Sequence, residues 1–209
     1  MKNTKVKYHT NIQQRSQEWL NLRLGKVGGS ESIGLTTTAR MKSLVPLKVA
    51  ELLTGENQGD DFVSKQMQYG IDTEPIARAE YEKQMFTSVT ECGYITHEDY
   101  PLLGLSVDGL VGDVGAIEIK CPAPKAHIAI IVSGKVPTAY RPQLAQTFVV
   151  NETLEWIDFV SFNNTLKQRP MYIIKVSRQD MEKDIKVLKS SYETFSNAVE
   201  ESIKIIKQL

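Results

Sequence analysis

Apolar and polar positions alternate along this chain in two rhythms, one with a period of two and one with spacings of three and four. Leu103–Leu110 and Ala116–Cys121 alternate with period two on either side of a glycine-containing turn at Gly112–Gly115, which predicts a β-hairpin. Successive strand side chains take opposite faces, so Glu118 and Lys120 share one face while Ile117, Ile119 and Cys121 take the other. Ser106 and Asp108 fall together on one side of the first strand. Ser88–His97 is expected to flank the hairpin, with Glu155–Phe162 and Met171–Val176 as further strands of the same mixed sheet.

Helical spacing accounts for most of the rest. Ser16 is placed to cap a helix carrying Trp19, Leu20 and Leu24, which Gly25 ends, and Gly28-Gly29-Ser30-Glu31 opens a second one. Further helices are expected over Pro46–Leu53, Ser64–Gly70, Asp72–Met85 and Ala139–Val149, with Pro46, Pro75 and Pro142 in first turns. Glu56–Asp61 and Asn163–Arg169 read as loops. From Asp180 to Leu209 a terminal helix repeats Met181, Ile185, Leu188, Tyr192, Phe195, Val199 and Ile203, a continuous stripe that should bury against the sheet or serve a subunit contact.

These elements fit one α/β (α+β) domain over the 209 residues. Composition adds exclusions. No apolar run reaches the roughly 18 residues of a membrane span, and MKNTKVKYHTN lacks the apolar region of a secretory signal, so a cytoplasmic location without membrane contact is expected. Two cysteines, Cys92 and Cys121, supply no disulfide framework, zinc site or iron–sulfur cluster. The histidines His9, His97 and His127 match no metal spacing, and His127 reads as a surface or core residue. The formal net charge is zero, but residues 1–50 carry nine Lys/Arg against two Glu, leaving the remainder at −7. A basic N-terminal quarter on an acidic body is either a localised phosphate-facing surface or, for Lys2, Lys5 and Lys7, a solvated tail.

Candidate chemistry concentrates at the hairpin. If it brings Asp108 beside Glu118 and Lys120, two carboxylates meet an ammonium, an arrangement that a hard divalent cation would neutralise. An ordinary same-face ion pair at a sheet edge is the plainer alternative. Arg23 and Ser30 flank glycines that let backbone amides approach an anion. Glu74, Arg78 and Glu82 recur at four-residue intervals, which a solvated ion-pair ladder would also explain.

Asp108 followed by Glu118-Ile119-Lys120 is the Asp…Glu-x-Lys signature of the PD-(D/E)XK nuclease superfamily, with Val107 where a proline is usual. With Ser-x-Asp-Gly before it and Glu-Ile-Lys-Cys-Pro around it, the stretch resembles the lambda-type phage exonucleases, the viral recombinase branch of that superfamily. The Trp19-x-x-x-Arg23-x-Gly25 segment, Glu74-x-x-Ala77-Arg78 and Tyr140-x-x-Gln143 also resemble that family, in its order. The resemblance implies a restriction-endonuclease-like mixed central sheet flanked by helices. It implies Mg²⁺, with Mn²⁺ as substitute, held by Asp108, Glu118, the Ile119 carbonyl and Glu82, with Lys120 aiding attack. Arg78 and Glu74 are then supporting groups; Arg23, Ser30 and Ser106 grip a 5′-terminal phosphate; Gln143 stands at the site's edge. Family members often show Gln-x-Gln, and Ala145 breaks that pattern, leaving Gln146 as the substitute. The implied activity is 5′-to-3′ degradation of one strand of linear duplex DNA by a trimeric ring, leaving 3′ overhangs for a single-strand annealing partner in phage recombination. A structure-specific or restriction-type endonuclease, or a non-catalytic DNA-binding module, are the alternatives.

Overall fold

The computed structural model describes residues 5–59 and 63–208. Among them, six strands form one sheet in chain order: β1 (Val6–His9), β2 (Thr90–His97), β3 (Gly104–Val111), β4 (Gly115–Lys120), β5 (Trp156–Phe162) and β6 (Met171–Ser177). Every neighbouring pair is antiparallel except β4 and β5. A parallel step needs a crossover rather than a tight turn, and α4 (Pro124–Ser133) and α5 (Arg141–Val150) supply it. The other helices are α1 (Gln17–Arg23), α2 (Thr38–Thr54), α3 (Lys65–Met85) and α6 (Glu182–Gln208).

The two faces of the sheet bury different elements. Ile117 and Ile119 of β4, with Val160 and Phe162 of β5, pack on Ala77 and Tyr81 of α3. Ala116, Ile157 and Phe159 face the other way, into a larger core with Leu144 and Phe148 of α5. Glu118 and Lys120 share the parity of Ala116, so they project toward α5. All seven stripe positions of the terminal segment enter that larger core, Met181 from a short 3-10 turn just before α6. They rest mainly on α5, which itself packs on β2 and β3, and on α2; the stripe is therefore buried within the chain against helices rather than directly on the sheet.

Several boundaries differ from the sequence expectation. Pro46 lies inside α2, which begins eight residues earlier at Thr38; its side chain is exposed while Leu44, Lys48, Val49 and Glu51 are buried on the opposite side. The segments expected over Ser64–Gly70 and Asp72–Met85 are one helix, α3, capped by Ser64, whose Oγ accepts the Met67 amide at 3.1 Å. Gly70 and Pro75 weaken a helix by about 1 and 3 kcal/mol as isolated residues; burial of Ala77 and Tyr81 under the sheet fixes α3 nonetheless. The helix expected at Gly28 is a 3-10 turn, Gly29–Gly34. β1 and α4 had no counterpart in the expectation; β1 turns part of the supposed basic tail into an edge strand, where Lys5 pairs with Asp99 at 2.8 Å. Lys2, Asp60 and Asp61 of the expected loop, and Leu209 lie outside the described residues. No helix among the described residues is long and apolar enough to cross a membrane.

Candidate active site

The β3–β4 hairpin sets Gly109 opposite Ile117. One residue further along each strand, that register puts Asp108 opposite Glu118, on one face. The Ile119 amide donates to Asp108 Oδ2 at 2.6 Å. Glu118, 3 % exposed, is held from two sides: Lys120 Nζ lies 2.6 Å from its Oε1, and Gln143 Nε2 of α5 donates to the same oxygen. Val107, at the position usually held by proline, is buried and opposite Cys92 in the β2–β3 ladder, and its carbonyl accepts from Gln14 Nε2 at 3.2 Å.

From the opposite layer α3 contributes Glu74 and Arg78. Arg78 is a hub: Nε donates to the Asp108 carbonyl at 2.9 Å, Nη2 pairs with Glu74 Oε1 at 2.8 Å, and Nη1 with Glu91 Oε1 at 2.9 Å. Glu82 is not brought to this group. Its Oε1 accepts the Val89 amide at 2.7 Å and braces the connection from α3 to β2. The reason is helical geometry, because eight residues carry Glu82 about 12 Å along the axis and about 80° around it from Glu74. Glu74, rather than the expected Glu82, is the third carboxylate near Asp108 and Glu118.

Electrostatics mark the site as short of positive charge. Burial pushes the Asp108 carboxyl well above its usual range, and repulsion from Glu118 and Glu74 pushes it further. Burial also raises Glu74, partly offset by Arg78. Burial pulls Lys120 down, but Glu118 and Asp108 outweigh it, so the ammonium form is favoured on balance. The neighbouring half-buried Cys121 thiol is pushed up to about 12 by desolvation first and then by the charges of Glu74 and Asp108. Among the described residues no three His, Cys, Asp or Glu side chains form a ready-made ligand set; Glu74 is drawn to Arg78 and Glu118 to Lys120. The donor chemistry still fits a hard divalent cation, which takes one or two carboxylates and completes its shell with waters and substrate oxygens.

The same cleft, about 680 Å³, has a second wall made by Trp19, Arg23 and Ser30, facing Glu74, Ile119, Lys120 and Tyr140. Ser16 caps α1 as expected, its Oγ accepting the Trp19 amide at 3.2 Å. Trp19 Nε1 donates to Ser106 Oγ at 2.9 Å, and the Arg23 guanidinium lies 4.2 Å from the Trp19 ring centroid. Arg23, Ser30, Ser106 and Gln143 are therefore brought to the cluster of Asp108, Glu118 and Lys120. Gln146 is not: it is buried, its Nε2 donating to the Val27 and Gly104 carbonyls at 2.8 and 2.9 Å. His127 is a core residue between Ser161 Oγ, at 2.7 Å, and the Arg169 carbonyl, at 2.9 Å. Two contributors escaped the sequence reading. Tyr140, whose ring centroid is 5.3 Å from Lys120 Nζ, was legible as part of Tyr-x-x-Gln; Glu91, an exposed strand residue, carried no signal.

The sequence profile of the YqaJ-like viral recombinase domain matches residues 18–153, a span that contains Trp19, Arg23, Ser30, Glu74, Arg78, Asp108, Glu118, Lys120 and Gln143. The chain belongs to the YqaJ-like viral recombinase family. Its structure is similar to that of an alkaline exonuclease, LHK-Exo, from Laribacter hongkongensis. The TM-score is 0.84 at 32% identity, over 92% of this chain and 97% of that one. The same enzyme in complex with dAMP matches equally, at 0.84 and 32% over the same shares. Among curated proteins none matches. The mixed six-stranded sheet of this YqaJ-like domain is thus the PD-(D/E)XK type of fold expected from the Asp…Glu-x-Lys pattern.

Proposed function

We propose that this YqaJ-like protein is a divalent-metal-dependent DNA exonuclease, acting with Mg²⁺ or Mn²⁺ on the ends of linear duplex DNA in the 5′-to-3′ direction. The observation that carries the reading is the juxtaposition, in one cleft, of a carboxylate-and-lysine cluster with a wall of phosphate-binding character. Asp108, Glu118 and Glu74, with the Ile119 carbonyl, are the groups to hold the cation. When bound, it supplies Lewis-acid polarisation of the scissile phosphate and activation of water at neutral pH.

The chain's own groups do the rest. Lys120, held in its ammonium form by Glu118 and Asp108, orients the attacking water by donating hydrogen bonds and stabilises negative charge developing on the phosphate. Gln143 keeps Glu118 in place from α5. Arg23, stacked on Trp19, and Ser30 and Ser106 grip the 5′-terminal phosphate, so that one nucleotide reaches the metal-facing side at each cut. Arg78 orients Asp108 through its carbonyl. A trimeric ring around the duplex, 3′ overhangs as product, and delivery of those overhangs to a single-strand annealing protein in phage-type recombination follow from the family likeness.

The test is to incubate the pure protein and Mg²⁺ with duplexes labelled separately at the 5′ and 3′ ends, beside closed circular duplex. Early mononucleotide release from the 5′ label alone, with circles intact, is expected. Cut circles would point to an endonuclease, and release from the 3′ label first would reverse the polarity.

A further inference from the structure

Lys48 lies on α2, outside the cleft, and is only 4 % exposed. Its Nζ is 2.9 Å from Glu31 Oε1 and 3.2 Å from Glu51 Oε2. Each carboxylate also accepts a main-chain amide: Gly28 N–H donates to Glu31 at 2.8 Å, and Gly25 N–H donates to Glu51 at 3.0 Å. The three charged groups thereby fix both ends of the segment from Gly25 to Gly28.

That segment is closely packed. Gly25 has φ +69°, and a Cβ there would fall 2.3 Å from Leu52 Cδ2. A Cβ on Gly28 would come within 3.1 Å of Arg23 Nη2, and one on Gly29 within 3.2 Å of Gln143 Cγ. Two neighbouring backbone positions therefore touch the two side chains assigned to the terminal phosphate and to Glu118, and the next residue is Ser30. Buried ion pairs contribute little net stability because desolvation offsets their attraction, so stability alone does not account for a lysine at this depth. Sites that must hold groups within about half an ångström need supporting contacts of this kind.

We propose that Lys48 is a positioning residue for end recognition: through Glu31 and Glu51 it holds the turn from Gly25 to Gly29 where Arg23 and Ser30 meet a 5′-terminal phosphate. The proposal rests on the reading of Arg23 and Ser30 as the phosphate pocket.

The experiment measures KM and kcat on one linear duplex bearing either 5′-phosphate or 5′-hydroxyl ends, for the wild type, Glu31→Ala, Lys48→Met, Lys48→Arg and Arg23→Ala. Glu31→Ala and Lys48→Met are expected to raise KM for phosphorylated ends about tenfold, with kcat changed less than about twofold and KM for hydroxyl ends little moved. Lys48→Arg, which retains the cation, should recover most of the preference. Lys48→Met strands two carboxylates; if it does not fold, Glu31→Ala, whose side chain is 28 % exposed, carries the test. Equal losses on both kinds of end, or an unchanged Glu31→Ala beside an Arg23→Ala that has lost its preference, would overturn the role of Lys48. An Arg23→Ala enzyme that still prefers phosphate would remove the pocket itself, and the proposal with it.

Discussion

Two clusters of buried charge lie on either side of the turn at Gly28, and they are built differently. Around Lys48 the network is closed: one cation lies between two carboxylates, and each carboxylate takes a backbone amide as well. Around Asp108 it is open: Asp108 and Glu118 share Lys120, Glu74 shares Arg78 with Glu91, and burial with mutual repulsion drives Asp108 well above its usual range. A closed network holds chain segments in place. An open one facing a cleft is stabilised by an incoming cation, and perturbed carboxylates of this kind cluster at functional sites.

The widest gap between the clusters should appear in catalysis. Asp108→Ala, Glu118→Ala or Lys120→Ala is expected to lower Mg²⁺-dependent nucleotide release about 10³-fold or more while circular dichroism reports an intact fold; full activity in all three would reject the site. Next comes the contrast along α3. Glu74→Ala should cost about 10²-fold in kcat/KM and Glu82→Ala no more than a few-fold, because only Glu74 reaches Asp108 electrostatically; the reverse ranking would restore Glu82 to the site.

The smallest effect is on stability. The folded, metal-free chain keeps the Asp108 proton to a higher pH than the unfolded chain, which releases it near pH 3.9, about the usual carboxylate value. This stabilising contribution is complete below that pH and is lost as pH rises through the folded value. Asp108→Asn removes the loss, so at pH 8 without metal it should melt about 2–4 °C above the wild type and show a flatter dependence on pH. A lower melting temperature would mean that Asp108 is not the strained member of the cluster.

Much of this was readable from residue patterns. Period-two alternation located the hairpin, and the register of two short strands then joined Asp108 to Glu118. The terminal helix was legible because seven apolar positions recur at helical spacing, but what the stripe packs on, α5 and α2, was not. Glu82 was expected beside Asp108 because four-residue spacing looks like one face over two turns, yet the rise and angular drift separate it from Glu74, the residue that lies there. The single helix α3 was hidden by Gly70 and Pro75, whose local penalties are overridden by packing that a linear text does not display. β1 was hidden because its partner strand lies more than eighty residues away. Nothing in the sequence joined Glu31 to Lys48 and Glu51; their meeting is made by the approach of α2 to the turn.

The central claim is that Asp108, Glu118 and Glu74 form one cation site. Anomalous diffraction from crystals soaked in Mn²⁺ tests it most directly. The account predicts a peak within about 2.5 Å of carboxylate oxygens of Asp108 and Glu118, with Glu74 turned from Arg78 toward the ion. Saturating Mn²⁺ that leaves this cleft without a peak, or binds only at carboxylates elsewhere, would contradict it.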